Sequence, residues 1–345
     1  MRIGMPLSHS GGFKETVTLL RDYEKAGLDI VFVPEAYSFD AISQLGFIAA
    51  HTQRLEIASG ILQIYTRTPT LTAMTAAGLD HVSDGRFTLG IGASGPQVIE
   101  GFHGQPYTAP LARTREIVEI CRSVWLREKL VHEGRHYQIP LPPDQGTGLG
   151  RPLKLINHPV RERIPITVAS LGQKSVEQTA EIADGWIPHL FHPEKAHLVW
   201  GDALAAGAKQ RSADLDPLQV TAGGMVAIGE GPETKALLDF ARPLFALYVG
   251  GMGAKGKNFY NDVARAYGYE QEAEQIQELY LAGQKKEAEA LVPTEWLEAA
   301  NLVGPASYVQ ERIAAFREAG VTHLTVMPAS DDPAATVAQV KEWVS

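Results

Sequence analysis

An eight-stranded parallel (β/α)8 TIM barrel is the fold this sequence predicts, and three observations predict it. Helical and β-rich stretches alternate along the chain. A small residue or Asp followed by Gly recurs where a helical stretch hands over to a strand, and a proline recurs where the next helix would begin. Glycine takes the left-handed conformation that closes a helix, and proline at the first helical position gives up an N–H that has no partner there anyway. Strands separated by full helices pair in parallel through right-handed crossovers.

In order, the strands are expected at residues 2–5, 28–33, 55–62, 86–91, 164–169, 186–190, 220–228 and 322–327, and eight of them select a barrel over an open sheet. The helix-to-strand corners are Ala26-Gly27, Asp84-Gly85, Asp184-Gly185 and Ala319-Gly320. Helix starts are marked by Pro69, Pro193, Pro232, Pro305 and Pro333, with Thr68 and Asp332 as N-caps. Two segments break the rhythm. Between the fourth and fifth strands, Glu133 to Tyr137 reads as a hairpin turn and residues 140–150, rich in Pro and Gly, as a surface loop able to act as a lid. After the seventh strand, residues 241–303 read as a helical insertion, whose polar stretch 270–291 is a solvated excursion or a dimer contact. Residues 1–345 are read as a single domain, since one barrel with insertions reaches this length.

With 45% hydrophobic and 21% charged residues, the chain has an ordinary globular composition. A formal charge of −9 without a Lys/Arg cluster argues against nucleic acid and for a small-molecule partner. The single cysteine, Cys121, lies in a helical pattern from Arg113 to Trp125 and reads as a buried structural residue. The first residues run directly into a strand pattern without an apolar signal core, and no run of about 18 apolar residues follows, so the expectation is a cytoplasmic protein with no membrane partner.

Among motifs, Gly90-Ile91-Gly92-Ala93-Ser94-Gly95 has dinucleotide-loop spacing after a strand. Pro96, Gly101 and Gly104 interrupt the helix that must follow, and Arg115 stands where an acid is needed. What survives is a glycine-rich strand end at the barrel mouth, with Gly92 expected against something flat or bulky. His189, His192 and His197 lack metal-ligand spacing, so no metal is expected. Residues Ser170 to Lys174 form a strand-to-helix turn whose free N–H groups suit an anion. Glu35 and His189 each end a strand at the catalytic face and are the candidate acid/base residues; each also has a plain reading as a cap or hydrogen-bond partner.

The segment Ser59-Gly60-Ile61-Leu62-Gln63-Ile64-Tyr65-Thr66-Arg67-Thr68-Pro69 resembles the third-strand region of luciferase-like oxidoreductases, in the branch that uses coenzyme F420. Val33-Pro34-Glu35-Ala36-Tyr37, Ser83 to Gly92 and Ala183-Asp184-Gly185-Trp186 are similar to stretches of that family, and Leu247-Tyr248-Val249-Gly250-Gly251-Met252-Gly253 to its actinobacterial members. The resemblance implies a non-proline cis peptide at Gly60-Ile61, with Gly60 and Ile61 behind the ring system of the cofactor and Ser59 beside them as a further cofactor-binding candidate. It further implies Leu171, Gly172 and Gln173 at the cofactor phosphate, and a homodimer; by position, Lys174 adds charge beside that turn and His189, just beyond the next strand, a further contact. Where the sugar-phosphate dehydrogenase branch has a histidine and a glutamate, this chain has Ala36 and Gly95, which argues against glucose-6-phosphate as substrate.

The expected activity is therefore hydride transfer between F420 and a small organic molecule. FMN is the alternative cofactor, in a monooxygenase of the same superfamily, and a non-catalytic flavin or deazaflavin carrier is a third possibility. A Schiff-base aldolase lacks a lysine in any expected strand.

Overall fold

The computed structural model describes residues 1–8, 12–253 and 255–345. Its strands are β1 (Arg2–Pro6), β2 (Ile30–Val33), β3 (Glu56–Ser59), β4 (Leu62–Gln63), β5 (Phe87–Gly92), β6 (His132–Glu133), β7 (Gln138–Ile139), β8 (Ile166–Ala169), β9 (Gly185–Ile187), β10 (Gln219–Ile228), β11 (Leu302–Gly304) and β12 (His323–Pro328). The α-helices before the long excursion are α1 (Phe13–Lys25), α2 (Ala41–His51), α3 (Pro69–Val82), α4 (Pro96–Ile99), α5 (Pro110–Trp125), α6 (Gln173–Ile182) and α7 (Ala196–Gln210).

Between β10 and β11 come α8 (Pro232–Ala236), a 3-10 turn (Leu237–Ala241), α9 (Arg242–Ala246), a π-helix (Leu247–Gly251), α10 (Phe259–Ala266), α11 (Glu270–Leu281), α12 (Lys285–Ala290) and α13 (Thr294–Ala300). The chain ends with α14 (Ala306–Glu318) and α15 (Pro333–Val344) around β12.

Strands β1, β2, β3, β5, β8, β9, β10 and β12 pair in that order, all in parallel, and β12 pairs back to β1, so the ring is closed. This is a TIM barrel, and the expected eight strands are its eight staves. The third stave is broken: β3 pairs with β5 through Ile57 and Ala58, the Gly60–Ile61 peptide is cis, and β4 resumes beside Ile91 and Gly92.

Side chains alternate between two cores, as barrel strands buried on both faces require. Val31, Val33, Ile57 and Leu89 join the main apolar core, whereas Ile30, Phe32 and Ala58 form a separate small cluster with Ile187. A Cβ on Gly4 would lie 2.8 Å from the Phe32 ring, and one on Gly60 would lie 2.9 Å from Phe32 Cβ. One phenylalanine thus occupies the space that two glycines leave open.

The helix corners behave as expected at three of four places: Gly27, Gly85 and Gly320 have φ of 98°, 79° and 86°. Gly185 is a correction. It lies inside β9, and its role is close packing, because a Cβ there would sit 2.8 Å from Thr167 Oγ1. Pro69, Pro232 and Pro333 occupy the first turn of their helices and Pro305 the N-cap, with Thr68 and Asp332 accepting from Leu71 N and Ala335 N. Pro193 precedes α7 by more than the expected step, since that helix starts at Ala196.

The hairpin β6–β7 is antiparallel and is tied to α5 by Glu116, whose carboxylate accepts from His136 N at 3.2 Å and Tyr137 N at 2.9 Å. Cys121 is fully buried, and burial pushes its thiol up to about 12. Among the described residues no helix is long and apolar enough to cross a membrane.

Candidate active site

In a parallel barrel the functional groups gather where strands end and loops begin, at the carboxyl-terminal mouth. The β2 and β4 ends form one side. Glu35, two residues beyond β2, binds Arg67 through both carboxylate oxygens at 2.7 Å each, and Oε2 also accepts from Ala41 N at 3.1 Å. Both side chains are largely buried. Gln63 of β4 donates to the Ala36 carbonyl, while its Oε1 is buried with no partner among the described residues. Glu35 thus ties the start of α2 to the loop after β4. Both of its oxygens are hydrogen-bonded, a geometry that holds this side of the mouth together.

The third-strand break lies beside this pair. Gly60 and Ile61 are half-exposed between buried Ser59 and Leu62. Ser59 faces the neighbouring strand instead of the mouth: its hydroxyl donates to Gly90 O at 2.9 Å and accepts from Gly90 N at 2.8 Å. The glycines of β5 answer to the same corner. A Cβ on Gly90 would lie 1.9 Å from Ser59 O, and one on Gly92 would lie 3.2 Å from Ile61 Cδ1. The bulky object expected against Gly92 is therefore the Ile61 side chain, and Ser59 and Gly92 stand behind the corner as its supports. Next to it Tyr65 and Tyr107 meet at 5.2 Å, and the Arg113 guanidinium lies 5.9 Å from the Tyr65 ring and 5.2 Å from that of Tyr137.

Across the mouth lies the turn after β8. Gly172 is the N-cap of α6 with no side-chain cap, and the N–H groups of Gly172, Gln173 and Lys174 find no acceptor among the described residues. Trp200 Nε1 donates to Leu171 O at 2.8 Å and the Gln173 amide to Val199 O, so the turn is anchored to α7 while its N–H groups stay free. The Lys174 ammonium is exposed and pairs with Glu177 at 2.7 Å. A Cβ on Gly172 would lie 3.2 Å from the Phe259 ring, so the insertion packs against this turn.

His189, two residues past β9, meets the insertion as well, with ring centroids 3.9 Å from Tyr248 and 5.7 Å from Tyr260. Its Nε2 is buried without a partner among the described residues, and burial pushes the imidazole down to about 4. It is neutral at physiological pH, able to give or accept one hydrogen bond at that atom. The structure thus brings together Gly60 and Ile61, the turn at Leu171 to Lys174, and His189 around one mouth. Tyr248 and Tyr260 went unrecognised in the sequence as site residues. The one signal was the Gly-Gly stretch after Tyr248, which carried a resemblance but no role. Among the described residues no cluster of His, Cys, Asp or Glu could hold a metal ion.

A closed parallel barrel with polar atoms left open at the carboxyl ends of its strands defines a TIM-barrel enzyme. The chain belongs to the luciferase-like monooxygenase family, whose description matches residues 1–323. It is similar to a Mycobacterium tuberculosis protein, provisionally named a coenzyme F420-dependent oxidoreductase, with 40% identity over 96% of both chains. Its fold is also that of the coenzyme F420-dependent tetrahydromethanopterin reductase of Methanopyrus kandleri (TM-score 0.80, 22% identity, 99% of this chain and 98% of that one). An F420-dependent secondary alcohol dehydrogenase is similar in the same way (TM-score 0.74, 18% identity, 100% and 99%).

Proposed function

We propose that this chain is a coenzyme F420-dependent oxidoreductase that transfers hydride between the deazaflavin and a small organic substrate. The observation that carries the reading is the pairing of a half-exposed Gly60–Ile61 corner with the bare N–H groups of the α6 turn across the same mouth. The full-length likeness to a relative of that provisional name supports it.

The residues present fit such a cofactor. Gly60 and Ile61 offer a surface without polar side chains to a flat ring, and the orphaned Oε1 of Gln63 offers an acceptor to a ring N–H. The amides of Gly172, Gln173 and Lys174 point a helix dipole at a phosphate. When bound, the deazaflavin supplies the ring carbon that carries hydride. The protein's own part is to fix the ring against the corner, hold the anionic tail, and keep Glu35 and Arg67 paired as the wall. His189, neutral, is placed to hold a hydrogen bond at Nε2 with substrate or ring.

Titration of the purified protein with F420 and with FMN, followed by fluorescence, tests this. Tighter F420 binding that weakens when the Gly172 turn is altered is the expected result. Tighter FMN binding, with FMN-dependent oxygen consumption, would reverse the cofactor assignment.

A further inference from the structure

The helical excursion does more than decorate the barrel. Its π-helix and the start of α10 are fastened together by one side chain, Asn258. The Asn258 Oδ1 accepts from Tyr260 N at 3.0 Å, and Nδ2 donates to the carbonyls of Tyr248 and Val249 at 2.9 Å each. Asn261 adds a second buried amide, donating to Val249 O at 3.1 Å and Ala273 O at 2.7 Å. From the other side Tyr280 presses on Gly250 and Gly251, where a Cβ would lie 2.5 Å from the Tyr280 Cβ and 2.5 Å from its ring, respectively.

A π-helix leaves carbonyls poorly matched to the usual ladder, and here buried amides satisfy them. The outcome is that Tyr248 and Tyr260 are presented as a rigid T-shaped pair, 4.6 Å between centroids, against His189. Both are half-buried, and neither hydroxyl has a hydrogen-bond partner among the described residues. Burial raises both phenols above their ordinary range. Tyr37 lies close enough to Tyr248, and Tyr107 close enough to Tyr260, to act on them electrostatically.

We infer that Tyr248, Tyr260 and His189 form the substrate subsite, and that it takes an uncharged carbonyl compound, a ketone or enone, whose oxygen accepts hydrogen bonds from the two phenols. The inference rests on the hydride-transfer reading above and names the substrate class for it. The two phenols are neutral donors and the imidazole beside them is neutral, which suits a neutral acceptor and leaves an anion's charge uncompensated. Three cations of the mouth are already engaged: Arg67 is held by Glu35, Lys174 by Glu177, and Arg113 stacks over Tyr65 and Tyr137 on the β4–β5 side.

The test uses cyclohexenone as the uncharged probe and pyruvate as the anionic one, with binding followed by ligand-observed NMR on the protein with and without F420. Cyclohexenone binding is expected, weakened by about three- to tenfold in both Tyr248→Phe and Tyr260→Phe, the size of one lost neutral hydrogen bond. F420 affinity should stay at the wild-type level in both variants. Unchanged cyclohexenone affinity in both variants, no cyclohexenone binding at all, or preferred pyruvate binding that disappears in Arg113→Ala each overturns the inference. Failure of F420 to bind overturns the cofactor reading instead, and the probe titrations on the F420-free protein still decide the subsite.

Discussion

The two sides of the barrel mouth are built on opposite terms. Around the ends of β2 and β4, Glu35, Arg67, Gln63 and the start of α2 bond to one another, and Gln63 Oε1 is buried with no partner among the described residues. Around the ends of β8 and β9 and the insertion packed on them, three backbone N–H groups, an imidazole nitrogen and two phenols have no partner among the described residues. Buried polar groups that bond internally stabilise a shape, whereas groups left open retain a cost that a ligand can offset. The satisfied side is thus a frame, the open side holds groups that a ligand could satisfy, and the difference can be attacked from either direction.

The largest effect should come from breaking the frame. Glu35→Ala leaves the Arg67 guanidinium buried and unpaired, which should lower stability by about 3–5 kcal/mol in urea denaturation. Glu35→Gln is the sharper probe: retained turnover fits a holding role, and a collapse of turnover at unchanged stability would restore Glu35 as a proton-transfer group. Next, Gly90→Ala drives a methyl into Ser59 O and should cost about 1–3 kcal/mol while displacing the Gly60–Ile61 corner, with a measurable loss of F420 affinity.

The open side should respond to acid. Burial pushes His189 down to about 4, whereas an unfolded imidazole titrates near 6.5. As pH falls, the unfolded chain takes up the proton first, so stability present above about 6.5 drains away toward 4. For this half-exposed ring the loss is on the order of 1 kcal/mol, and His189→Phe should flatten the denaturation midpoint between pH 7 and 4.5 by that amount. A variant as acid-sensitive as the wild type would place the ring in water. The smallest effect belongs to Lys174→Ala. Its ammonium is exposed and already paired with Glu177, so stability should change by under about 0.5 kcal/mol. F420 affinity should fall little if the backbone amides do the binding.

Much of the frame was legible in the sequence because it is local. Strand runs such as Ile30 to Val33, and helix punctuation at Thr68-Pro69 and Ala319-Gly320, act within a few residues, so pattern suffices to find them. The cis peptide at Gly60–Ile61 came only through resemblance. What escaped was long-range. Nothing near Glu35 announces Arg67, and nothing near Gly90 announces that Ser59 forbids it a side chain. Gly185 looked like a helix cap because Asp-Gly reads the same whether the glycine turns the chain or makes room for Thr167. Tyr248 and Tyr260 reach His189 only through a π-helix and a buried asparagine, an arrangement with no simple period.

Strand β11 carries a consequence for how this mouth can change. The excursion leaves the barrel after Ile228 and comes back at Leu302 alongside Val226, in parallel and outside the ring of eight. Departure and return are thus neighbouring strands, about 5 Å apart. The ring itself closes through β9, β10 and β12, so the residues the excursion brings to the mouth can change without touching the hydrogen bonds that close the barrel.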